Sequence, residues 1–213
     1  MGEQMAQAAT KKGSETRERI LDAAQELILE CGYSGVSIDD IIKRLGLTKG
    51  AFFHHFKNKN ELAVALLRRF ASQDLAVLNE SVERAEKLSA DPLQQLLITV
   101  GLYEEMFTGL DEPYPGCLLA SYTQELHHFN DEAKDIIKDS FITWRRRLAL
   151  AIKRIAKIYP PKIKVDPKSL ADELSVIFEG AFILSKSLND PDIVLQQLGH
   201  YKMYLQLIFN QEK

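Results

Sequence analysis

SIDDIIKRLGLTKGAFFHHF, residues 37–56, decides the fold. Ser37 is a good helix N-cap, and Asp40, three residues on, can reach back to the cap as the partner in a capping box. Asp39 and Asp40 occupy the first turn, where the helix dipole favours negative charge. Ile38, Ile41, Ile42 and Leu45 recur at the spacing of one buried helical face. Gly46 stops that helix, because glycine accepts the left-handed conformation of a sharp turn, and Leu47 plugs the angle that follows. Thr48 caps a second short helix, anchored inward by Phe52 and Phe56. Lys49, Gly50, Phe53, His54 and the edge of His55 are left outward or at the rim. Gly50 and Ala51 are small, so this helix end can approach another surface closely.

Charge points the same way. Residues 41–60 hold five Lys or Arg and no Asp or Glu. Residues 1–60 carry nine basic and eight acidic side chains, and residues 61–213 carry 18 and 22. An acidic chain therefore presents one local basic face. A charge run alone is usually a solvated helix face. Here it coincides with two short helices joined by a glycine turn, which is the size and spacing of a unit that places a helix in the major groove of DNA.

The longer stretch RERILDAAQELILECGYSGVSIDDIIKRLGLTKGAFFHHFKNKNEL resembles the TetR family of transcriptional regulators. The resemblance lies in a fixed order: a helix, a Gly-aromatic-x-Gly link, a capped helix, an LG turn, a TKG-type recognition helix, aromatic-His-x-Phe and a Lys exit. By that resemblance Thr48, Phe53, His55 and Lys59 match positions that touch phosphates, and Lys49, Gly50 and His54 match positions presented to base edges. With the capping Ser37 and the exit residue Lys57 they make up the expected DNA-facing set. The chain departs from the pattern at three places. Phe53 stands where Tyr is usual and removes a hydroxyl, Ile42 stands where a small Ala is common, and Asp39 stands where some members carry a base-reading Arg.

At 213 residues and 46% hydrophobic content the chain can bury a sizeable core. No apolar run reaches the roughly 18–20 residues that cross a bilayer. The N-terminal MGEQMAQAATKKG lacks an apolar signal core, so a cytoplasmic protein with a mobile tail over 1–13 is expected. Cys31 and Cys117 form neither a disulfide framework nor a metal spacing, which suits a reducing compartment. The pairs His54-His55 and His127-His128 point about 100° apart on a helix and are no natural chelate. With no phosphate loop, nucleophile elbow or zinc signature, neither an enzyme nor a cofactor is expected.

The expected architecture is all-α with about nine helices. A three-helix helix-turn-helix head occupies 14–60, a long helix over 59–88 joins it to the rest, and residues 61–213 form a larger helical domain for ligand binding and dimerisation. Further helices are expected from Pro92 to about Gly109, from near Cys117, over 131–158, over 168–189 and over 191–210. The last two are apolar nearly all round, which calls for more than one neighbour. A four-helix bundle with a second copy satisfies that, and the family resemblance implies it too. Phe178, Phe182, Leu195, Leu198, Tyr201 and Leu205 are the expected interface.

The resemblance also implies an effector pocket among helices four to eight. Its expected lining is Phe70, Leu97, Tyr103, Met106, Phe107, Cys117, Tyr122, Trp144, Phe178 and Phe182, which suits a mostly hydrophobic small molecule. Ordinary core packing accounts for the same residue types. Cys117, near a helix N-terminus, supports an alternative in which a reactive thiol senses oxidants or electrophiles; a structural cysteine is the plainer reading. The implied function is a homodimeric repressor on a palindromic operator, released by an effector, against the rival of a helical interaction protein that has lost DNA binding.

Overall fold

The computed structural model describes the backbone of residues 2–209 and the side chains of residues 13–209. Of the tail expected over 1–13, residues 1–12 thus fall outside the described side chains. No strand occurs among the described residues. The helices are α1 (Gly2–Cys31), α2 (Ile38–Leu45), α3 (Lys49–His55), α4 (Lys59–Leu88), α5 (Pro92–Phe107), α6 (Leu118–Thr123), α7 (Asp131–Ile158), α8 (Pro167–Leu188) and α9 (Asp192–Ile208), with one 3-10 turn at Leu126–His128. α1 starts earlier than the expected 14, and α5 stops at Phe107, two residues short of Gly109.

Two compact units divide the chain. Unit 1 comprises Met1–Ala71 and Leu118–Ile137, and unit 2 comprises Ser72–Cys117 and Lys138–Lys213. α4 and α7 each supply residues to both.

Unit 1 is built on α1, α2, α3 and α6. Gly35 has no alternative in the link after α1, because a Cβ there would lie 2.3 Å from the Cys31 carbonyl oxygen. Gly46 takes φ 63°, and the Leu47 amide then closes back on the Ile42 carbonyl at 3.0 Å. That geometry sets the short angle between α2 and α3. Phe52 and Phe56 are fully buried, with ring centroids 5.9 Å apart. Each contributes about 2–3 kcal/mol by leaving water. Ile41 alone of the expected α2 stripe is fully buried; Ile38, Ile42 and Leu45 are half-buried. A two-turn helix presents a narrow contact line, so the flanks of its stripe stay wet.

Unit 2 packs α5, α8 and α9 with the parts of α4 and α7 that belong to it. Asp91 and Asp166 accept from the amides of Gln94 and Ser169 at 2.8 and 2.9 Å, each followed by a proline at the first helical position. Between α8 and α9, Asn189 takes a left-handed φ of 52° and the Ser185 hydroxyl donates to the Asp190 carbonyl at 2.7 Å. The reversal is tight, so α8 and α9 lie against each other along their length.

Candidate nucleic-acid interface

The two caps that frame the short helices are complete. Ser37 Oγ accepts from the Asp40 amide at 3.1 Å, and the Ser37 amide donates to Asp40 Oδ2 at 2.8 Å. The hydrogen bond from the Ser37 side chain, then that from its backbone, holds the Asp40 carboxyl below the usual range. Thr48 Oγ1 accepts from the Ala51 amide at 3.2 Å. Capping fixes where α3 begins, and with Phe52 and Phe56 buried its first turn has to face outward.

That first turn is exposed through Thr48, Lys49 and Gly50. Among the described residues a Cβ on Gly50 would meet only Thr48 Oγ1, at 3.9 Å, so the position is open to close approach. Lys49 Nζ lies 2.9 Å from Asp39 Oδ1, an ion pair whose side chains are 68% and 67% exposed. Phe53 is 47% exposed and edge-on to Phe52, an unusual position for an apolar ring that no neighbour claims. His54 is exposed and His55 half-buried, with ring centroids 5.0 Å apart. Burial, then the charges of His54 and Arg17, lower the His55 pKa, so its ring is neutral at neutral pH. The Lys57 amide donates to Glu61 Oε2 at 2.8 Å while its side chain stays in water.

Lys59 differs from expectation. Its ammonium donates to the Tyr33 carbonyl and sits 3.9 Å from the centre of the Tyr33 ring. Burial lowers its pKa, against the opposing charges of Glu125 and Asp40. It therefore braces the link between α1 and α2 rather than projecting toward a phosphate. Glu125, which no sequence pattern singles out, braces the same link. Its carboxylate accepts from the Tyr33 amide at 2.8 Å, from the Ser34 amide at 3.0 Å and from the Ser34 hydroxyl. Burial works against that charge, but these hydrogen bonds more than offset it and hold the carboxyl low. Tyr33, pushed up to about 12 by burial and then by Glu125, keeps its hydroxyl protonated and donates to Asn60 at 3.2 Å. No periodicity marks a glutamate in a turn, so only the folded contact reveals it.

An outward-facing, capped helix start, a backbone free of side chain at Gly50 and basic groups on one rim make a surface fit for a polyanion. Residues 20–66 match the family described as "Bacterial regulatory proteins, tetR family". The chain is 27% identical to the transcriptional regulator AcuR of Cereibacter sphaeroides over 177 residues, 82% of this chain and 78% of that protein. It is 25% identical to the transcriptional repressor DhaR of a Mycobacterium species over 170 residues, 80% and 82% of the two. A crystal structure of a regulatory protein TetR from Rhodobacter sphaeroides superposes with a TM-score of 0.73 and 25% identity, covering 88% of this chain and 97% of that one. The chain is thus similar to TetR-family regulators, in its head by the family match and over most of its length by its relatives and fold. Reduced NemR of Escherichia coli, 20% identical, shares the fold with a TM-score of 0.72 over 93% of this chain.

Leu97, Tyr103, Phe107, Trp144, Phe178 and Phe182 come together in the core of unit 2, with Cys117 partly buried against them. Met106 does not join them, being 52% exposed on the far side of α5. Tyr122 and Phe70 belong to unit 1, where Tyr122 stacks on Phe129 at 4.7 Å. Of the expected dimer contacts, Phe178, Phe182, Leu198, Tyr201 and Leu205 are buried within their own chain, and Leu195 packs partly against the same core. The five buried side chains are thus committed to their own chain's core. α8 and α9 do carry a second apolar face, formed by Val176, Ile183, Leu184 and Leu188 on α8 and by Met203, Tyr204 and Leu207 on α9, all exposed.

The Cys117 thiol donates to the Glu179 carboxylate. A carboxylate is the opposite of the cationic surroundings that make a cysteine reactive. No helix among the described residues is long and apolar enough to cross a membrane.

Proposed function

We propose that this chain is a homodimeric repressor that binds a palindromic DNA operator through α3 and releases it when a small effector binds in unit 2. The observation that carries the reading is the start of α3: Thr48, Lys49 and Gly50 are exposed on a capped helix whose opposite side is locked by Phe52 and Phe56. Lys49 and Lys57 supply the positive rim, and His54 and His55 add ring N–H donors beside it. In this reading Gly50 lets the backbone approach the duplex, and Phe53 packs on sugar or on a thymine methyl group. Ser37 serves by positioning α2, and Lys59 by holding the link after α1.

The seven exposed apolar residues on α8 and α9 support self-association about a two-fold axis, which would let two α3 helices read two half-sites. Such a regulator works in the cytoplasm, beside the chromosome. An effector shifts DNA binding only by its difference in affinity for the two states. About 1.4 kcal/mol of coupling gives a tenfold change.

The test is fluorescence anisotropy on sequences selected from random DNA. With roughly 6–10 phosphate contacts per dimer, affinity should fall about 10³–10⁵-fold between 50 and 200 mM salt. A salt-independent signal, or no selected palindrome, refutes the reading.

A further inference from the structure

Unit 2 holds two carboxylates that DNA binding and dimerisation leave unused. Asp74 on α4 is half-buried and accepts from the Trp144 indole Nε1 at 2.5 Å. Glu179 on α8 is half-buried and accepts from the Cys117 thiol. Neither has a salt-bridge partner among the described residues, and the charge of Asp74 acts unfavourably on Glu179. Half-buried acids without an ion-pair partner are costly, and such groups cluster at functional sites.

A second, independent observation marks the same place. Tyr103 is 5% exposed, and its hydroxyl is buried with no hydrogen-bond partner among the described residues. Its ring lies 5.7 Å from that of Trp144 and 5.4 Å from that of Phe178, and its hydroxyl feels the charge of Asp74. Aromatic faces continue outward, with Phe107 at 5.7 Å and Tyr114 at 5.2 Å from Phe182. Two carboxyl groups and an orphaned hydroxyl, walled by ring faces whose quadrupoles are negative, form an environment that attracts a cation.

We propose that unit 2 binds an organic ammonium ion, its N–H groups accepted by Asp74, Glu179 and the Tyr103 hydroxyl and its apolar body held among Phe107, Phe178 and Phe182. This rests on the reading of unit 2 as the effector half and gives the effector its chemical class. A primary or secondary amine fits best, because all three polar groups can accept an N–H and a quaternary centre has none to offer. Anionic effectors are disfavoured by the same two carboxylates.

The experiment is calorimetric titration of the full-length protein near pH 8 with three probes of one shape: phenethylamine, 2-phenylethanol and phenylacetate. The amine should bind about tenfold or more tightly than the alcohol, and phenylacetate should bind weakest. Glu179→Gln should flatten the order, and Asp74→Asn in a separate protein should do the same, so a fold defect in one leaves the other informative. Alcohol or acid binding as tightly as the amine, an order unchanged in both variants, or no heat from the amine at millimolar concentration overturns the proposal. DNA release is measured separately by anisotropy. If the amine binds but leaves the DNA complex intact, the regulatory reading fails and the ammonium site stands.

Discussion

Glu179→Gln should make this protein more stable at high pH, and the size of the gain follows from one buried charge. Burial pushes the Glu179 carboxyl from 4.5 up to about 7, with the Cys117 hydrogen bond opposing and the Asp74 charge reinforcing. A folded-state pKa above the unfolded one means that the folded protein holds the proton more tightly. The associated stability is fully present below about pH 4.5 and is lost as pH rises through about 7. At about 1.36 kcal/mol per pH unit the complete loss is about 3 kcal/mol. Because the side chain is only half-buried, solvent screening reduces this to about 2 kcal/mol. Gln preserves the shape and the acceptor for the thiol, so the variant loses little else.

For a chain of this size 1 kcal/mol moves the thermal midpoint by about 2–4 °C. Differential scanning fluorimetry should therefore show Glu179→Gln melting about 4–8 °C above the wild type at pH 8, with the gap closing by pH 5. Asp74, which burial likewise pushes up to about 6 against the Trp144 hydrogen bond, titrates in both proteins and largely cancels in the difference. A midpoint difference that stays constant from pH 5 to pH 8 would refute the argument, since it would mean that the carboxyl is charged in the folded protein throughout.

The other predictions concern DNA and the second apolar face. Asp39→Ala removes the anion that holds Lys49 and should raise DNA affinity about three- to tenfold at moderate salt by anisotropy; weaker binding would show that Asp39 makes a favourable contact. Lys57→Ala should reduce the salt slope by about 1, while Lys59→Met should lower thermal stability and leave the slope unchanged. DNA affinity should rise as pH falls from 8 to 6. The His55 pKa is depressed in the free protein by burial, His54 and Arg17, a neighbouring phosphate restores its proton, and binding therefore takes up protons. An affinity that drops over that range would exclude His55 from the phosphate contact. Leu184→Arg should halve the mass seen by analytical ultracentrifugation with helicity retained, whereas Leu198→Ala should keep the mass and cost about 2–5 kcal/mol of stability.

What the sequence made legible follows how each feature is encoded. The head was readable because its signals are local: Ser37 with Asp40, Gly46 and Thr48 each fix a turn within four residues, and the hydrogen bonds found there are those expected. The Asp-Pro start of α5 was equally local. Lys59 misled because its role depends on Tyr33, 26 residues earlier, and Glu125 was invisible because its acceptors' partners are 91 and 92 residues away. The carboxylates Asp74 and Glu179 sit on helices otherwise dominated by apolar periodicity, and nothing along the chain says that a glutamate between Phe178 and Phe182 turns inward.

α8 shows the deeper limit. Leu174, Phe178, Ala181 and Phe182 are buried, while Val176, Ile183 and Leu184 are exposed, and the two sets interleave along one helix. A step of two residues turns about 200° on a helix, so these are opposite faces. Hydrophobicity says that both need covering, and it cannot say which is covered by α9 and α5 and which by another molecule. The large aromatics fall on the inner face, where they pack edge-on or tilted against rings from α5 and α7. The outer face carries Val, Ile, Leu and Gly180, which suit close approach of a helix of similar shape. An apolar pattern that nearly encircles both helices puts Leu195, Leu198 and Leu205 at the expected interface together with the rings Phe178, Phe182 and Tyr201. Size instead selected the rings for the core, because a large ring gains most where several helices of one chain converge on it, and the smaller aliphatic stripe is what remains for a second copy.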